Sequence, residues 1–496
     1  MSLHKYVPLK MLIILLLLQS CGRQNKGFAT TASAPYYTVT VSEDNIRKVE
    51  VEAMLPLLKD TLYMSQSDFL PLANGFATFV DDLKATDNKG NTVNLISVGK
   101  GVWKVDAPVP CTIKLTYKVN IGHDTVQWAV SAAFARAYAL NDVLFFSGKT
   151  IFIVPKGRDT SKIKVHFNLP KGWDIATPYA VSPDEPDTYQ AENLEQLWHN
   201  GNFIGRIVKE EINVGDLKVI VAGMPAMQQG VDLIKNSLTK IVNAYKSEMG
   251  VAPAGKLVII GSVSSLTQGG ETFKNSISLM FRQAPDRYNK GQWGYLLAHE
   301  VFHLWNGGAI GPADQQKVEW FVEGFTEYMS KLTAYRTGFI TETEFLQQLA
   351  YCRSDYLSQA GKISLVDAGV EKGVNYGLIY NGGMAAAFTL DIEVRTKTNN
   401  KKGLVDIMRR MYSKFGKTNT AYTYQDIIAV SSEAAGADLS GFFSSYVSGL
   451  QVMPFDNYLA RAGLEVDTLN GETVIRPKLN APAEEKELLK GVWGDE

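Results

Sequence analysis

The spacing of the apolar residues changes once along this chain, near Met224, and no single-layer fold accommodates both patterns. Upstream, TIKLTYKVN (Thr112 to Asn120) alternates Ile113, Leu115, Tyr117 and Val119 with polar residues, the period of a half-buried strand. RKVEVEAML (Arg47 to Leu55) and IKVHFNL (Ile163 to Leu169) read the same way. KTIFIVP (Lys149 to Pro155) and LKVIVAG (Leu217 to Gly223) are richer in β-branched residues and are expected to be more deeply buried strands. Turn signals such as NKGN and PKGWD separate these runs, so a β-sandwich or a set of packed sheets is expected. Downstream, Val231, Ile234, Leu238, Ile241 and Tyr245 recur at helical spacing. KLVIIG (Lys256 to Gly261) and SISLMF (Ser276 to Phe281) read as two strands, and the chain is then mostly helical to about Gly463. A length of 496 residues exceeds one typical core. The expected organisation is an N-terminal β-sandwich-like domain over residues 36–226 and a mainly helical domain over 227–466. A charged tail, 467–496, is too short to be a further domain.

The first residues differ from all of this. His4, Lys5 and Lys10 precede the apolar run MLIILLLL, Met11 to Leu18, which is too short for a spanning helix of about 20 residues and fits the apolar region of a secretory signal. It ends in LQSC, Leu18 to Cys21, which resembles the lipobox of bacterial lipoproteins, with Gln19 where a small residue is usual. The resemblance implies a signal peptide over 1–21, a lipid on Cys21 and a flexible tether over 22–35. The chain is then expected as a cell-envelope lipoprotein, held by its lipid on the outer membrane of a Gram-negative bacterium. A formal net charge of −1 offers no electrostatic basis for nucleic acid as partner. Beyond Cys21 only Cys111 and Cys352 remain, in different expected domains, so no disulfide framework is implied.

Chemistry concentrates in LAHEVFHLWN, Leu297 to Asn306. On a helix His299 and His303, four residues apart, present both imidazoles to one point, as a two-histidine zinc clamp requires. Glu300 is about 100° round from His299, beside the coordination sphere, where it can act as general base. A catalytic zinc takes a third protein ligand and keeps a fourth position open. WFVEGFTEYMS (Trp320 to Ser330) supplies Glu323, twenty residues beyond His303, with GGAIGP as the turn between two helices. No histidine follows His303, which disfavours a three-histidine site; Glu319, one turn before Glu323, is the competing ligand. Glu327, on the same face as Glu323, is placed to accept the free N–H of a ligand histidine.

HEVFHLWN followed by WFVEGFTEY resembles the glycyl aminopeptidase family of zinc metallopeptidases, whose members share H-E-x-x-H-x-W-N and W-x-x-E-G-x-T-x-Y. YVSGLQVMPFDNYLARAGLEV (Tyr446 to Val466) looks like the end of that family's catalytic domain. The resemblance implies a thermolysin-like catalytic domain, one zinc ion and a peptide or protein substrate. Three departures stand out. After the catalytic part only about thirty residues follow, so the PDZ domain of many members is not expected. Where members carry Y-x-K-G, with the tyrosine binding the oxyanion, this chain has YNGG, which keeps Tyr380 and Gly383 and puts Gly382 in place of the lysine. Tyr376, one turn earlier, is the alternative donor. Where members have G-G-L-E-H-R-N-S beside the cleft, this chain has GGETFKNS, with Gly269, Gly270, Glu271 and Thr272 as candidate substrate-binding residues. Thr272 stands at the glutamate position and Glu271 one place early, and a strand shifted by one residue points the other way. The resemblance implies an aminopeptidase. The Thr272 departure leaves open a zinc endopeptidase, and the three departures together leave open a non-catalytic surface protein that keeps zinc structurally.

Overall fold

The structure is a computed structural model that describes residues 34–494, apart from 66–71, 124–135, 252, 266–267 and 419. The expected signal peptide, Cys21 and all but the last two residues of the expected tether lie outside the described residues. Among those described, no helix is long and apolar enough to cross a membrane.

The described residues of 34–205 form three sheets. The largest has eight strands, with Tyr36–Thr40, Lys48–Leu57 and Cys111–Asn120 near its centre. Lys48–Leu57 shows why alternation works: Val49, Val51, Ala53 and Leu55 are buried while Glu50, Glu52 and Met54 face solvent. Its antiparallel partner sets Leu115 opposite Ala53 and Tyr117 opposite Val51, so both strands turn their apolar faces into one core. Two four-stranded sheets complete this part, one containing Val143–Ser147 and Gly201–Gly205.

KTIFIVP is not the continuous strand its composition suggests. It forms a 3-10 turn at Gly148–Thr150, and only Val154–Pro155 pairs as strand. Thr150 through Pro155 are all buried, so β-branched content signals burial here and no ladder. Tyrosine hydroxyls supply the hydrogen bonds instead. Tyr37 donates to the Ile153 carbonyl (2.8 Å) and Tyr117 to the Ile151 carbonyl (2.9 Å), while the Ile153 N–H donates to Tyr117 Oη (3.1 Å).

The expected boundary at 226 also moves. Leu217–Gly223 pairs in parallel with Gly255–Val263, inside a five-stranded sheet that runs from Val208–Val214 to the edge strand Gly269–Thr272. The change from one part to the other therefore falls between Gly205 and Val208. The helix Gln228–Met249 buries Val231, Ile234, Leu238, Ile241 and Tyr245. Tyr245 passes the order on: its hydroxyl donates to the Ala298 carbonyl (2.8 Å) and its ring packs on Phe302. Ala298 and Phe302 belong to the helix Lys290–Phe302, which carries the first zinc-motif histidine.

Helices Glu319–Arg336 and Gly383–Lys397 approach as closely as backbones can. A Cβ on Gly324 would lie 2.3 Å from Gly383 Cα, and one on Gly383 would lie 2.3 Å from the Trp320 carbonyl oxygen. Residues 467–494 are not a free tail. Glu472–Pro477 pairs with Leu464–Leu469, and the helix Ala483–Trp493 buries Leu488 and Val492. Arg336 fastens that helix, donating to the carbonyls of Val492 and Trp493 (2.8 Å each).

Candidate active site

His299 lies in the last turn of Lys290–Phe302 and His303 is the residue that caps it. Their Nε2 atoms are 3.1 Å apart, and Glu323 Oε2, from the helix Glu319–Arg336, stands 3.5 Å from the first and 3.4 Å from the second. The three donor atoms fall within 4.8 Å of one another. Glu323 Oε2 is buried without a hydrogen-bond partner. Two imidazole nitrogens and an unsatisfied carboxylate oxygen, all aimed at one point, form a donor set suited to zinc.

The groups behind these atoms fix their orientation. His303 Nδ1 is 2.9 Å from the Asn306 carbonyl, which can only accept, so Nδ1 carries the proton and Nε2 is left bare. Asn306 in turn donates its amide to the carbonyls of Phe321 (3.2 Å) and Val322 (3.1 Å), tying the turn to the second helix. Behind His299, Nδ1 faces Glu327 Oε2 at 3.6 Å, and Lys331 holds that same oxygen at 2.7 Å. Burial pushes the Glu327 carboxyl up, but Lys331 and His299 outweigh it and bring it down to about 2. Burial likewise pulls His299 down, and Glu323 with Glu327 more than reverses this, to about 10.

Glu319, the competing ligand, is not part of this donor set. It shares Lys372 with Glu323: the ammonium donates to Glu319 Oε2 (2.8 Å) and to Glu323 Oε1 (2.6 Å). Glu323 stays well below the usual carboxylate range despite its burial, because Lys372 and the two histidines surround it. Sequence reasoning missed Lys372. It lies 49 residues beyond Glu323, past the end of a short 3-10 turn, and no spacing rule connects them.

Glu300 is buried, and burial raises its carboxyl above the ordinary range. Thr272 on the edge strand donates its hydroxyl to Glu300, with Oε2 and the backbone carbonyl each 2.8 Å away. Gly270, two residues earlier on the same face, leaves room for the carboxylate; a Cβ there would sit 2.5 Å from Glu300 Oε1. Glu271, between them, takes the opposite face of the strand yet still lines the cleft, its carboxyl pushed up to about 7 by burial. Gly269, which opens the strand, also lines the cleft. Tyr380 lies nearly parallel to the His299 ring (centroids 6.1 Å, 15°), and Tyr376 stacks on the outside of Tyr380 (4.1 Å, 22°). All of these border one cleft of about 1260 Å³, open to solvent.

The comparisons agree with this geometry. Residues 35–205 match the family model described as the peptidase M61 N-terminal domain, and residues 293–377 match the M61 glycyl aminopeptidase model. No curated protein sequence matches the chain significantly. Solved structures share the fold. An aminopeptidase N family protein from Idiomarina loihiensis has a TM-score of 0.76 at 20% identity, covering 87% of this chain and 79% of its own. The M1 zinc metallopeptidase from Deinococcus radiodurans has 0.57 at 13%, covering 86% and 95%. Yeast LTA4 hydrolase has 0.54 at 13%, covering 86% and 70%. Fold and matched domains together define a metallopeptidase with an N-terminal β-rich domain and a helical catalytic part. The two matched regions take in just over half of the chain, which belongs to the M61 glycyl aminopeptidase family.

Proposed function

We propose that this chain is a lipid-anchored zinc aminopeptidase in which His299, His303 and Glu323 hold the metal and Glu300 is the general base. One observation carries this reading: the unsatisfied Glu323 oxygen and two imidazole nitrogens converge beside a buried carboxylate that borders an open cleft. Bound zinc supplies Lewis acidity, lowering the pKa of a water toward about 7 and polarising a carbonyl.

The remaining work belongs to the chain's own residues. Glu300 takes a proton as water attacks the scissile carbonyl carbon, and hands it to the amine as the C–N bond breaks. The Tyr380 hydroxyl donates to the oxygen that gains negative charge in that step. Burial raises Tyr380 above the ordinary tyrosine range, so it stays protonated and able to donate. Glu327 and the Asn306 carbonyl hold the two imidazoles in place. The edge strand Gly269–Thr272 offers its free side for an extended peptide to add as a further strand. The lipobox supports attachment through a lipid on Cys21, with the outer membrane of a Gram-negative bacterium as the location.

Endopeptidase action is the second reading, and Thr272 favours it, because its side chain is engaged with Glu300. Incubating the full chain with a mixed peptide library, with and without a chelator, separates the two by mass spectrometry. Chelator-sensitive loss of single N-terminal residues establishes the aminopeptidase, and internal cuts establish the endopeptidase. Zinc-loaded protein that cleaves nothing overturns both.

A further inference from the structure

The charges around the cleft do not balance locally. Glu195 pairs with Lys274 (2.6 Å), Glu319 and Glu323 share Lys372, and Glu327 pairs with Lys331 (2.7 Å). Glu300 takes the Thr272 hydroxyl. Two cations of the lining remain with no carboxylate in salt-bridge reach among the described residues: Arg282, exposed just past the strand Ser276–Phe281, and Lys149. Lys149 is the half-buried one, and it comes from the β-rich part of the chain.

Its backbone is held rigidly. Gly148 packs so tightly on the Leu197 carbonyl that a Cβ would lie 1.8 Å from the oxygen, and the Thr150 hydroxyl donates to the Ser147 carbonyl (2.7 Å). Ser147, Gly148 and Thr150 are buried, so Lys149 alone of this turn reaches the cleft. Glu271, which lines the same cleft, is not within salt-bridge reach of it. A half-buried lysine on a fixed backbone, with no carboxylate in salt-bridge reach, is a receptor for an anion.

We propose that Lys149 is a specificity-determining residue that receives the carboxylate of an acidic side chain in the peptide substrate. The inference rests on the peptidase reading and adds the substrate class to it. A hydrogen bond to a charged partner is worth about 1.5–3 kcal/mol, which corresponds to a preference of about tenfold or more.

Matched peptides that differ only by Glu or Gln at each position next to the scissile bond test this on the full, zinc-loaded chain. At one position the Glu peptide is expected to show kcat/KM about tenfold above its Gln partner, mostly through KM. Lys149→Ala brings the ratio to about one, Lys149→Glu shifts the preference to Lys-containing peptides, and Lys149→Arg retains it. The same peptides, fluorescently labelled, are titrated onto the Glu300→Gln chain with and without Lys149→Glu, which reads binding without turnover. Equal cleavage of Glu and Gln peptides at every position overturns the inference and leaves the peptidase reading intact. A chain that cleaves nothing but still binds the Glu peptide tenfold more tightly, through Lys149, overturns the peptidase reading and leaves this one. A Glu-to-Gln ratio unchanged by Lys149→Glu overturns it outright.

Discussion

Lys372 donates to Glu323 Oε1 at 2.6 Å, on the side of the carboxylate away from the imidazoles, while Oε2 is left facing both histidines. One ammonium thereby selects which oxygen is free for the metal. It also neutralises Glu319, so two buried carboxylates share a single cation. Lys372→Met should weaken zinc binding by about 10–100-fold, the usual effect of removing a group that orients a ligand. It should also cost about 3–5 kcal/mol of stability, because Glu319 is left buried and unpaired and Glu323 loses its partner at Oε1. Zinc competition against a fluorescent chelator, with thermal melting of the metal-free protein, reads the two effects separately. Unchanged affinity in a folded variant would remove Lys372 from the site.

Glu300→Gln is expected to keep zinc and the fold but lose about 10²–10⁴ in kcat, the range of general acid–base assistance. The amide is isosteric, and Thr272 can still donate to its oxygen. Gly270→Ala should reach a similar outcome by another route, since the new methyl must displace the Glu300 carboxylate. Metal content by plasma emission, measured beside turnover, is the check: zinc lost along with activity would mean that these changes disturb the ligands and not the base.

Much of this site was legible because its parts are local. The i, i+4 histidines, the glutamate between them and the Trp320-to-Tyr328 segment each lie within one helix or its cap, where spacing dictates facing. What spacing cannot show is contact across the chain. Nothing in the sequence joins Lys372 to Glu323, 49 residues earlier, and Lys149 sat inside a run read as a buried strand. That run misled because an Ile-Phe-Ile segment surrounded by core looks the same whether its carbonyls meet a neighbouring strand or the hydroxyls of Tyr37 and Tyr117. The misplaced boundary did have a signal. LKVIVAG is a nearly continuous apolar run, as parallel strands covered on both faces are, and it matches KLVIIG better than the alternating strands before it.

The two tyrosines beside the histidines should separate cleanly. Tyr380 lies against His299, whereas Tyr376 packs on the far side of Tyr380. Tyr380→Phe is expected to lower kcat by about 10²–10³ with little change in KM, as removal of an oxyanion donor does. Tyr376→Phe should stay within about tenfold of the parent. Steady-state kinetics on any cleaved peptide decides it, and the reverse ranking would move the donor role to Tyr376.

Lys256 gives a pH dependence with a definite sign. Its ammonium donates to the Tyr179 carbonyl (2.9 Å), across the junction between the two parts of the chain. Burial, helped by Lys218, brings it down to about 8, against about 10.4 in an unfolded chain. Between those values the unfolded chain binds more protons than the folded one, so stability rises with pH through this window. Below about 8 both states carry the charge and the unfavourable contribution is constant; above about 10.4 neither does, and it is gone. Lys256→Met removes the effect. The melting temperature of the parent, relative to the variant, should therefore climb from pH 8 to pH 10, with other titrating groups cancelling in the difference. A difference that stays flat or falls over that range would mean that Lys256 keeps an ordinary ammonium in the folded protein.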